Sequence, residues 1–213
     1  TVLGGRRICG TALDAVERVD VLVNNAGILR DKSFQSTSED LWDPVIAVHL
    51  KGTYCVTHPV YRHMKERGAG GSIVNTSSTS GLVGNFGQCN YGAAKAGIFG
   101  FSRCLSIEGQ KAGIRVNVLA PVAWTRLTAD LPGFEAEARQ TQLDPKLVSP
   151  LVVYLASDLA KEVTGRTFFV GGGRVAEMRM VTAPGVVRSE AGGLWTPEEI
   201  AARMIPGQIL LPD

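Results

Sequence analysis

Residues 72–95, SIVNTSSTSGLVGNFGQCNYGAAK, place a short apolar run, a glycine-rich loop and the start of a helix in direct succession. Residues 72–76 suit a parallel strand that is buried on both faces. The loop over residues 79–88 leads into a helix that carries Tyr91 and Lys95. A buried strand that passes into a helix is half of a βαβ unit, so this stretch predicts a parallel sheet covered by helices.

The same alternation extends to both sides of this stretch. Apolar runs predict three more buried strands at residues 19–23, 114–119 and 167–170. Helical patterns alternate with these strands at residues 11–18, about 37–67, about 91–112 and 144–157. Pro44 and Pro59 are expected to interrupt and kink the second of these helices. Because right-handed crossovers bring the strand ends to one rim, we expect an α/β fold with a doubly wound parallel sheet of Rossmann type.

Residues 174–213 are interpreted as a C-terminal extension of this single domain. Two short extended runs are expected around residues 183–185. Thr196 is followed by Pro197, and Glu199 stands three residues after Thr196, which is the pattern of a capping box. We therefore expect a short helix after Thr196.

The composition is that of a globular domain, and it argues against several classes of function. The 213 residues carry a formal net charge of +2 from 22 basic and 20 acidic side chains, and no dense basic run suggests a nucleic-acid partner. No apolar run approaches the length of about 18 residues that a membrane span needs. The first residues lack the apolar core of a signal peptide, so we expect a cytoplasmic protein.

The cysteine and histidine patterns predict neither a disulfide framework nor a metal site. The four cysteines are scattered and are interpreted as buried or free thiols in a reducing compartment. His49, His58 and His63 form no ligand set with nearby carboxylates or thiols, so we expect no metal.

Tyr91 and Lys95 are the candidate reactive pair. A spacing of four residues on a helix puts the phenol and the ammonium on one face, one turn apart. A cation there favours the phenolate and is expected to lower the pKa of the tyrosine, which could then exchange a proton with a substrate oxygen. The alternative is an ordinary pair on the surface of a helix.

Polar and small residues follow two of the predicted strands. Asn24, Asn25, Ala26 and Gly27 come after the first strand, at the sheet edge where α/β proteins bind ligands. A plain turn is the alternative for this motif. Ser77 and Ser78 follow the next strand and reach the same edge.

Over residues 11–173 the chain resembles the short-chain dehydrogenase/reductase family. Four features carry this resemblance: the NNAG motif at residues 24–27, Ser78, Tyr91-x-x-x-Lys95 and the strand end at Pro121. Within the family, the chain is most similar to the (3R)-hydroxyacyl-CoA dehydrogenase units of peroxisomal multifunctional enzymes and their bacterial relatives. The residues behind the narrower resemblance are Val48-His49-Leu50-Lys51-Gly52, Ala120-Pro121 with Thr125-Arg126, and Val187-Arg188-Ser189 with Trp195-Thr196-Pro197-Glu198.

The resemblance implies an oxidoreductase of lipid metabolism that moves a hydride between NAD or NADP and a secondary alcohol or ketone, expected to be a 3-hydroxyacyl-CoA. Tyr91 would be the acid/base, and Lys95 would hold the phenolate and bond the nicotinamide ribose. Ser78 would orient the substrate oxygen, with Ser77 as the other candidate and loop capping as the alternative role for Ser78. Other substrates of the family and a non-catalytic scaffold protein stay open.

The resemblance also implies which residues meet the cofactor. The expected cofactor residues are Asn24, Asn25, Ala26, Gly27, Val48, Thr76, Tyr91, Lys95, Pro121, Val122 and Thr125. His49 stands where the family usually has an asparagine of a water relay, and a histidine can relay protons as well. Val122 stands where the family usually has a glycine, which weakens the assignment of Thr125.

The glycine-rich turn that cradles the cofactor pyrophosphate in this family has no counterpart before Asp20. We therefore expect the sequence to be a fragment and expect weak or no dinucleotide binding by it. Small residues along the Tyr91 helix allow close helix contact or internal packing, and the resemblance favours a homodimer or homotetramer. These small residues are Gly92, Ala93, Ala94, Ala96, Gly97 and Gly100.

Overall fold

The computed structural model describes residues 1–129, 137–188 and 193–211, and for residues 137–139 it describes the backbone alone. The chain forms two compact units, Thr1–Met178 and Arg179–Asp213. No helix in the described ranges is long and apolar enough to cross a membrane. We expect the segment over residues 121–142 to decide the substrate, and residues 130–136 of it lie outside the described residues, as does Ser189 of the Val187-Arg188-Ser189 motif.

Five strands and eight α-helices are described. The strands are β1 (Val21–Asn24), β2 (Gly71–Thr76), β3 (Ile114–Pro121), β4 (Thr167–Gly171) and β5 (Arg174–Met178). The helices are α1 (Val2–Val16), α2 (Glu39–Ile46), α3 (Gly52–Arg67), α4 (Thr79–Leu82), α5 (Cys89–Gly109), α6 (Glu137–Gln142), α7 (Ser149–Ala156) and α8 (Pro197–Arg203). A π-helical turn, Ala47–Lys51, joins α2 to α3.

The five strands form one sheet in the order β1-β2-β3-β4-β5. β1 to β4 are parallel, with Asn24 opposite Asn75 and Thr76 opposite Leu119. β5 returns antiparallel to β4. The predicted α/β class and the parallel central sheet are confirmed, and the carboxyl ends of β1, β2 and β3 share one rim.

Alternate residues of the central strands face opposite sides of the sheet and build two cores. Ile73 and Val116 pack with residues of α1, α3 and α5 on one side. Val74 and Leu119 pack with α7 on the other side. Because both faces are covered, apolar residues of β2 and β3 face both sides of the sheet, and their short apolar runs are the signal by which the sequence predicted both strands.

Several local predictions need correction. The long helical region is not interrupted at Pro44, which lies inside α2; it changes at the π-turn that contains His49, and Pro59 lies inside α3. The loop over residues 79–88 contains α4. No strand is described around residues 183–185, whereas β5 was not predicted. The capping box that opens α8 is confirmed, with Thr196 and Glu199 bonding reciprocally.

Candidate active site

The rim formed by the ends of β1 and β2 and the start of α5 brings the predicted reactive residues together. Lys95 is 3% exposed, and its Nζ donates to the Thr76 carbonyl oxygen at 2.7 Å. The same Nζ lies 5.4 Å from the centroid of the Tyr91 ring. Burial lowers the pKa of Lys95 from 10.5 to about 8. The pair is therefore an internal one, and the alternative of a surface pair is wrong.

Tyr91 does not have the lowered pKa that its spacing to Lys95 predicted. Burial raises the pKa of Tyr91 above 10.0, a hydrogen bond with Ser78 lowers it, and the Asp31 carboxylate raises it. The ammonium lies over the ring and is bonded to Thr76, so it does not reverse the cost of burying a phenolate. In this arrangement Tyr91 is a proton donor.

The two serines after β2 point in different directions. Ser78 lies close enough to Tyr91 to lower the pKa of the phenol, and its Oγ accepts from the Ser80 backbone N–H at 3.1 Å, so it caps α4 as well. Ser77 is 1% exposed and donates its hydroxyl to the Lys95 carbonyl oxygen at 2.7 Å. The geometry therefore places Ser78 at the phenol and uses Ser77 to hold the β2 end against α5.

His49 is buried behind the Tyr91 ring. The two rings meet edge to face, with centroids 5.1 Å apart. Nε2 lies 2.8 Å from the Ile28 carbonyl oxygen and 3.1 Å from the Ile28 nitrogen, so it donates or accepts according to the tautomer. Burial and then the charge of Lys95 lower the pKa of His49 from 6.5 to about 4, against the bond with Ile28. The ring is therefore neutral near pH 7.

The NNAG residues serve different purposes. Asn24 turns inward, where its Nδ2 donates to Thr57 Oγ1 and to Asn75 Oδ1, both at 2.8 Å. Asn25 Oδ1 accepts from Thr76 Oγ1 at 3.1 Å. A Cβ at Gly27 would lie 2.5 Å from His49 Cε1, so only glycine fits beside this imidazole. A plain turn does not account for these contacts.

A cleft of about 290 Å³ opens beside the end of β1. Asn24, Asn25 and Ala26 line one side of it, and Val48 lines the other together with apolar groups of α1 and α3. Four of the expected cofactor residues therefore meet at one cleft.

The cofactor residues predicted after β3 make contacts within their own segment and with β4. Pro121 ends β3, and Val122 continues the pairing by donating its N–H to the Val170 carbonyl at 2.8 Å. The Thr125 hydroxyl is engaged locally, with Thr128 Oγ1 at 3.2 Å and the Leu127 N–H at 3.2 Å. The structure thus shows Thr125 shaping a turn.

Three polar residues near Tyr91 were not predicted. Gln88 bonds Asp31 and Ser80, and Asn90 donates its amide to the carbonyls of Arg30 and Leu41. The sequence indicates Gln88, Asn90 and Asp31 only by their position, because they stand just before Tyr91 or just after the NNAG motif. That signal indicates proximity to the rim and says nothing about their partners.

The residues present fit one end of a nicotinamide dinucleotide. The Lys95 ammonium has three N–H donors. Among the described residues it donates to the Thr76 carbonyl oxygen, so donors are left for the ribose hydroxyls of a cofactor. Residues 1–20 hold α1 and no strand, so they do not form a strand-turn-helix cradle for the pyrophosphate. The fit is to the nicotinamide riboside half.

Comparison with known proteins gives consistent matches. The family model described as short chain dehydrogenase matches residues 6–131. The chain is 43% identical over 201 residues to the peroxisomal multifunctional enzyme type 2 of Mus musculus, covering 94% of this chain and 26% of that protein. It is 44% identical over 169 residues to the acetoacetyl-CoA reductase of an Acinetobacter species, covering 76% of this chain and 68% of that protein.

A solved structure matches over nearly the whole chain. The crystal structure of a short chain dehydrogenase from Mycobacterium avium superposes with a TM-score of 0.81 at 38% identity, covering 94% of this chain and 68% of that one. The chain spans only about a quarter of the length of the mouse relative, so that relative contains much that has no counterpart here.

Proposed function

The chain belongs to the short-chain dehydrogenase family, and on that premise we propose that it is an oxidoreductase for 3-hydroxyacyl-CoA and 3-ketoacyl-CoA. The observation that carries the proposal is the arrangement of Ser78, Tyr91 and Lys95 on one rim, with the buried ammonium of Lys95 5.4 Å from the centroid of the Tyr91 ring and with Ser78 acting on the pKa of the phenol. The acyl-CoA class is supported by the names of relatives such as acetoacetyl-CoA reductase.

In ketone reduction, the Tyr91 hydroxyl donates its proton to the developing alkoxide at C3 of the substrate. Ser78 donates a hydrogen bond to the same oxygen and keeps the carbonyl in a fixed orientation. The Lys95 ammonium stabilises the phenolate that forms, since it already lies next to the ring. A bound nicotinamide cofactor, NAD or NADP, would supply or take the hydride.

That cofactor would be held by Lys95 and Tyr91 and by the cleft beside the end of β1, which is lined by Asn24, Asn25, Ala26 and Val48. The buried Lys95 ammonium has N–H donors left that can bond the ribose hydroxyls of the cofactor. Without a strand-turn-helix cradle in residues 1–20, we infer that dinucleotide affinity of the 213-residue chain is weak.

Self-association through α3 and α5 is part of the proposal. An apolar cleft of about 370 Å³ lies between the two helices and is lined by residues such as Tyr54, Phe101 and Leu105. Gly100 and the exposed Ala93 and Ala96 leave the outer face of α5 open to close approach by a second copy. A single species of monomer mass in sedimentation at micromolar concentration would contradict this proposal.

The experiment that tests the function measures dehydrogenation of (3R)- and (3S)-3-hydroxybutyryl-CoA with NAD or NADP. It uses the 213-residue chain and, if the coding sequence extends upstream, the extended protein. Tyr91→Phe should lower kcat by about 100-fold or more while dinucleotide affinity, measured by calorimetry, stays largely intact. Tyr154→Phe, on α7, is the matched control and should keep its rate.

Unchanged turnover in Tyr91→Phe would overturn the proposed mechanism. Tight dinucleotide binding without turnover of any hydroxyacyl-CoA would favour a different substrate of the family. Absence of both binding and turnover in every form would favour a non-catalytic protein.

A further inference from the structure

A chain of hydrogen bonds joins the loop after β1 to the hydroxyl of Ser78. The Gln88 amide, from a side chain that is 5% exposed, donates Nε2 to Asp31 Oδ2 at 2.6 Å. Gln88 Oε1 accepts from Ser80 Oγ at 2.7 Å. The Ser80 backbone N–H donates to Ser78 Oγ at 3.1 Å. Asp31 is therefore connected to the hydroxyl that bonds Tyr91.

The backbone around this chain is held on both sides. The Lys32 N–H donates to the Gly87 carbonyl at 2.9 Å, and the Asn90 amide donates to the Arg30 carbonyl at 3.0 Å. Residues 30, 31 and 32 are thus each bonded to residues 87–90. This double attachment fixes where the Asp31 carboxylate can reach.

Packing alone does not account for a carboxylate at residue 31. Asp31 Oδ1 is buried and has no hydrogen-bond partner among the residues the structure describes. Its recorded side-chain donor is the neutral amide of Gln88. A buried carboxylate oxygen without a partner costs free energy, and an asparagine oxygen would accept from Gln88 at a lower cost. A feature that costs stability without a packing benefit points to a role in the neighbouring site.

Tyr91 is the group in reach of that charge. The titratable groups around the phenol are Lys95 on its own helix, His49 on the π-turn and Asp31 on the loop. The carboxylate raises the pKa of Tyr91, and the bond with Ser78 lowers it. Asp31 thus acts on Tyr91 in two opposite ways, directly through its charge and indirectly through Gln88 and Ser80.

We propose that Asp31 is a positioning residue: its carboxylate holds Gln88 in place, Gln88 fixes Ser80, and this directs the Ser78 hydroxyl at the phenol of Tyr91, on which the charge of the carboxylate also acts. The catalytic meaning of this role rests on the proposed function. The role itself can be tested without turnover or cofactor.

The test follows the ionisation of Tyr91 by fluorine NMR after biosynthetic replacement of the four tyrosines by 3-fluorotyrosine. Fluorotyrosine is more acidic than tyrosine, which keeps the titration below the pH of alkaline unfolding. The Tyr91 signal is the one that disappears in Tyr91→Phe. Asp31→Asn keeps an acceptor for Gln88 and removes the charge, so the midpoint should fall by on the order of one pH unit.

Gln88→Leu removes the connection and keeps the charge, so the midpoint should rise because Ser78 loses its direction. In a Ser78→Ala background, Gln88→Leu should have no further effect, since both changes remove the same bond. If Gln88→Leu does not fold, Gln88→Asn, which is too short to bridge Asp31 and Ser80, takes its place with the same expectation.

Thr37→Ala is the matched control. The Thr37 hydroxyl bonds the Ser33 carbonyl at 3.1 Å and supports the same loop without touching Gln88. It should leave the Tyr91 midpoint unchanged. An unchanged midpoint in Asp31→Asn, or an equal shift from Gln88→Leu with and without Ser78, would overturn the proposal.

Discussion

The imidazole of His49 stands edge-on to the phenol ring of Tyr91, with the ring centroids 5.1 Å apart and the ring planes at 89°. Three elements create this contact. The π-turn directs His49 inward, Gly27 leaves the space that the ring occupies, and the Ile28 backbone bonds Nε2. Nδ1 is buried with no partner among the described residues. His49 is thus held neutral behind the residue expected to move the proton.

A neutral buried histidine makes stability fall as the pH decreases. The pKa of His49 is about 4 in the folded chain against 6.5 for an ordinary histidine, so between these values the unfolded chain binds more protons. The free energy of unfolding should therefore drop by about 2 kcal/mol between about pH 7 and about pH 5 through this residue. Urea unfolding of the wild type and of His49→Phe at both pH values measures it. Equal pH dependence in the two chains would contradict the prediction.

The buried ammonium of Lys95 changes stability in the same direction as His49, but at higher pH. Its pKa is about 8 in the folded chain and 10.5 ordinarily, so the folded chain gains stability as the pH rises through this range. Relative to Lys95→Met, the wild type should gain about 2 kcal/mol between about pH 8 and about pH 10. Chemical denaturation of both chains across this range gives the difference. A constant difference would mean that Lys95 is not desolvated.

The two neighbouring serines should separate stability from chemistry. Ser77→Ala loses a buried bond to the Lys95 carbonyl and should cost about 1 kcal/mol of stability while kcat stays within a few-fold. Ser78→Ala loses the hydrogen bond to the reacting oxygen and should lower kcat by about 100-fold. Steady-state kinetics and urea unfolding of both variants decide this. A larger kcat loss in Ser77→Ala would reverse the two assignments.

Two glycines should respond in opposite ways to alanine. A Cβ at Gly81 would lie 2.6 Å from the Ala96 backbone nitrogen, so Gly81→Ala should cost about 1–3 kcal/mol because α4 must move away from α5. Gly100 lies in α5 with no atom of the same chain within 4 Å of a Cβ, so Gly100→Ala should stabilise the monomeric chain by about 0.5–1 kcal/mol, whereas in a dimer formed through α5 the added methyl group would oppose the approach of the second copy. Thermal unfolding of the two variants measures both effects, and destabilisation by Gly100→Ala would show an unseen contact.

The small residues of α5 show how a sequence pattern can have two causes at once. A Cβ at Gly97 would lie 2.8 Å from the Leu50 side chain, and one at Gly92 would lie 3.1 Å from the Ser80 carbonyl oxygen. These two glycines serve internal packing, whereas Gly100 faces open space. The sequence left both explanations open because the spacing of small residues does not tell which side of a helix is covered.

The sequence by itself determined the order of the four parallel strands and the main helices between them, the NNAG motif at a strand end, and the four-residue spacing of Tyr91 and Lys95. These features are local: burial on both faces favours apolar residues on both sides of a strand, and helical periodicity joins residues one turn apart. The tertiary structure decided which serine meets the phenol, that His49 lies behind it, and that Asp31 reaches it through Gln88. Those contacts join residues 13 to 57 positions apart, and they depend on how loops pack, for which a single sequence carries no periodic signal.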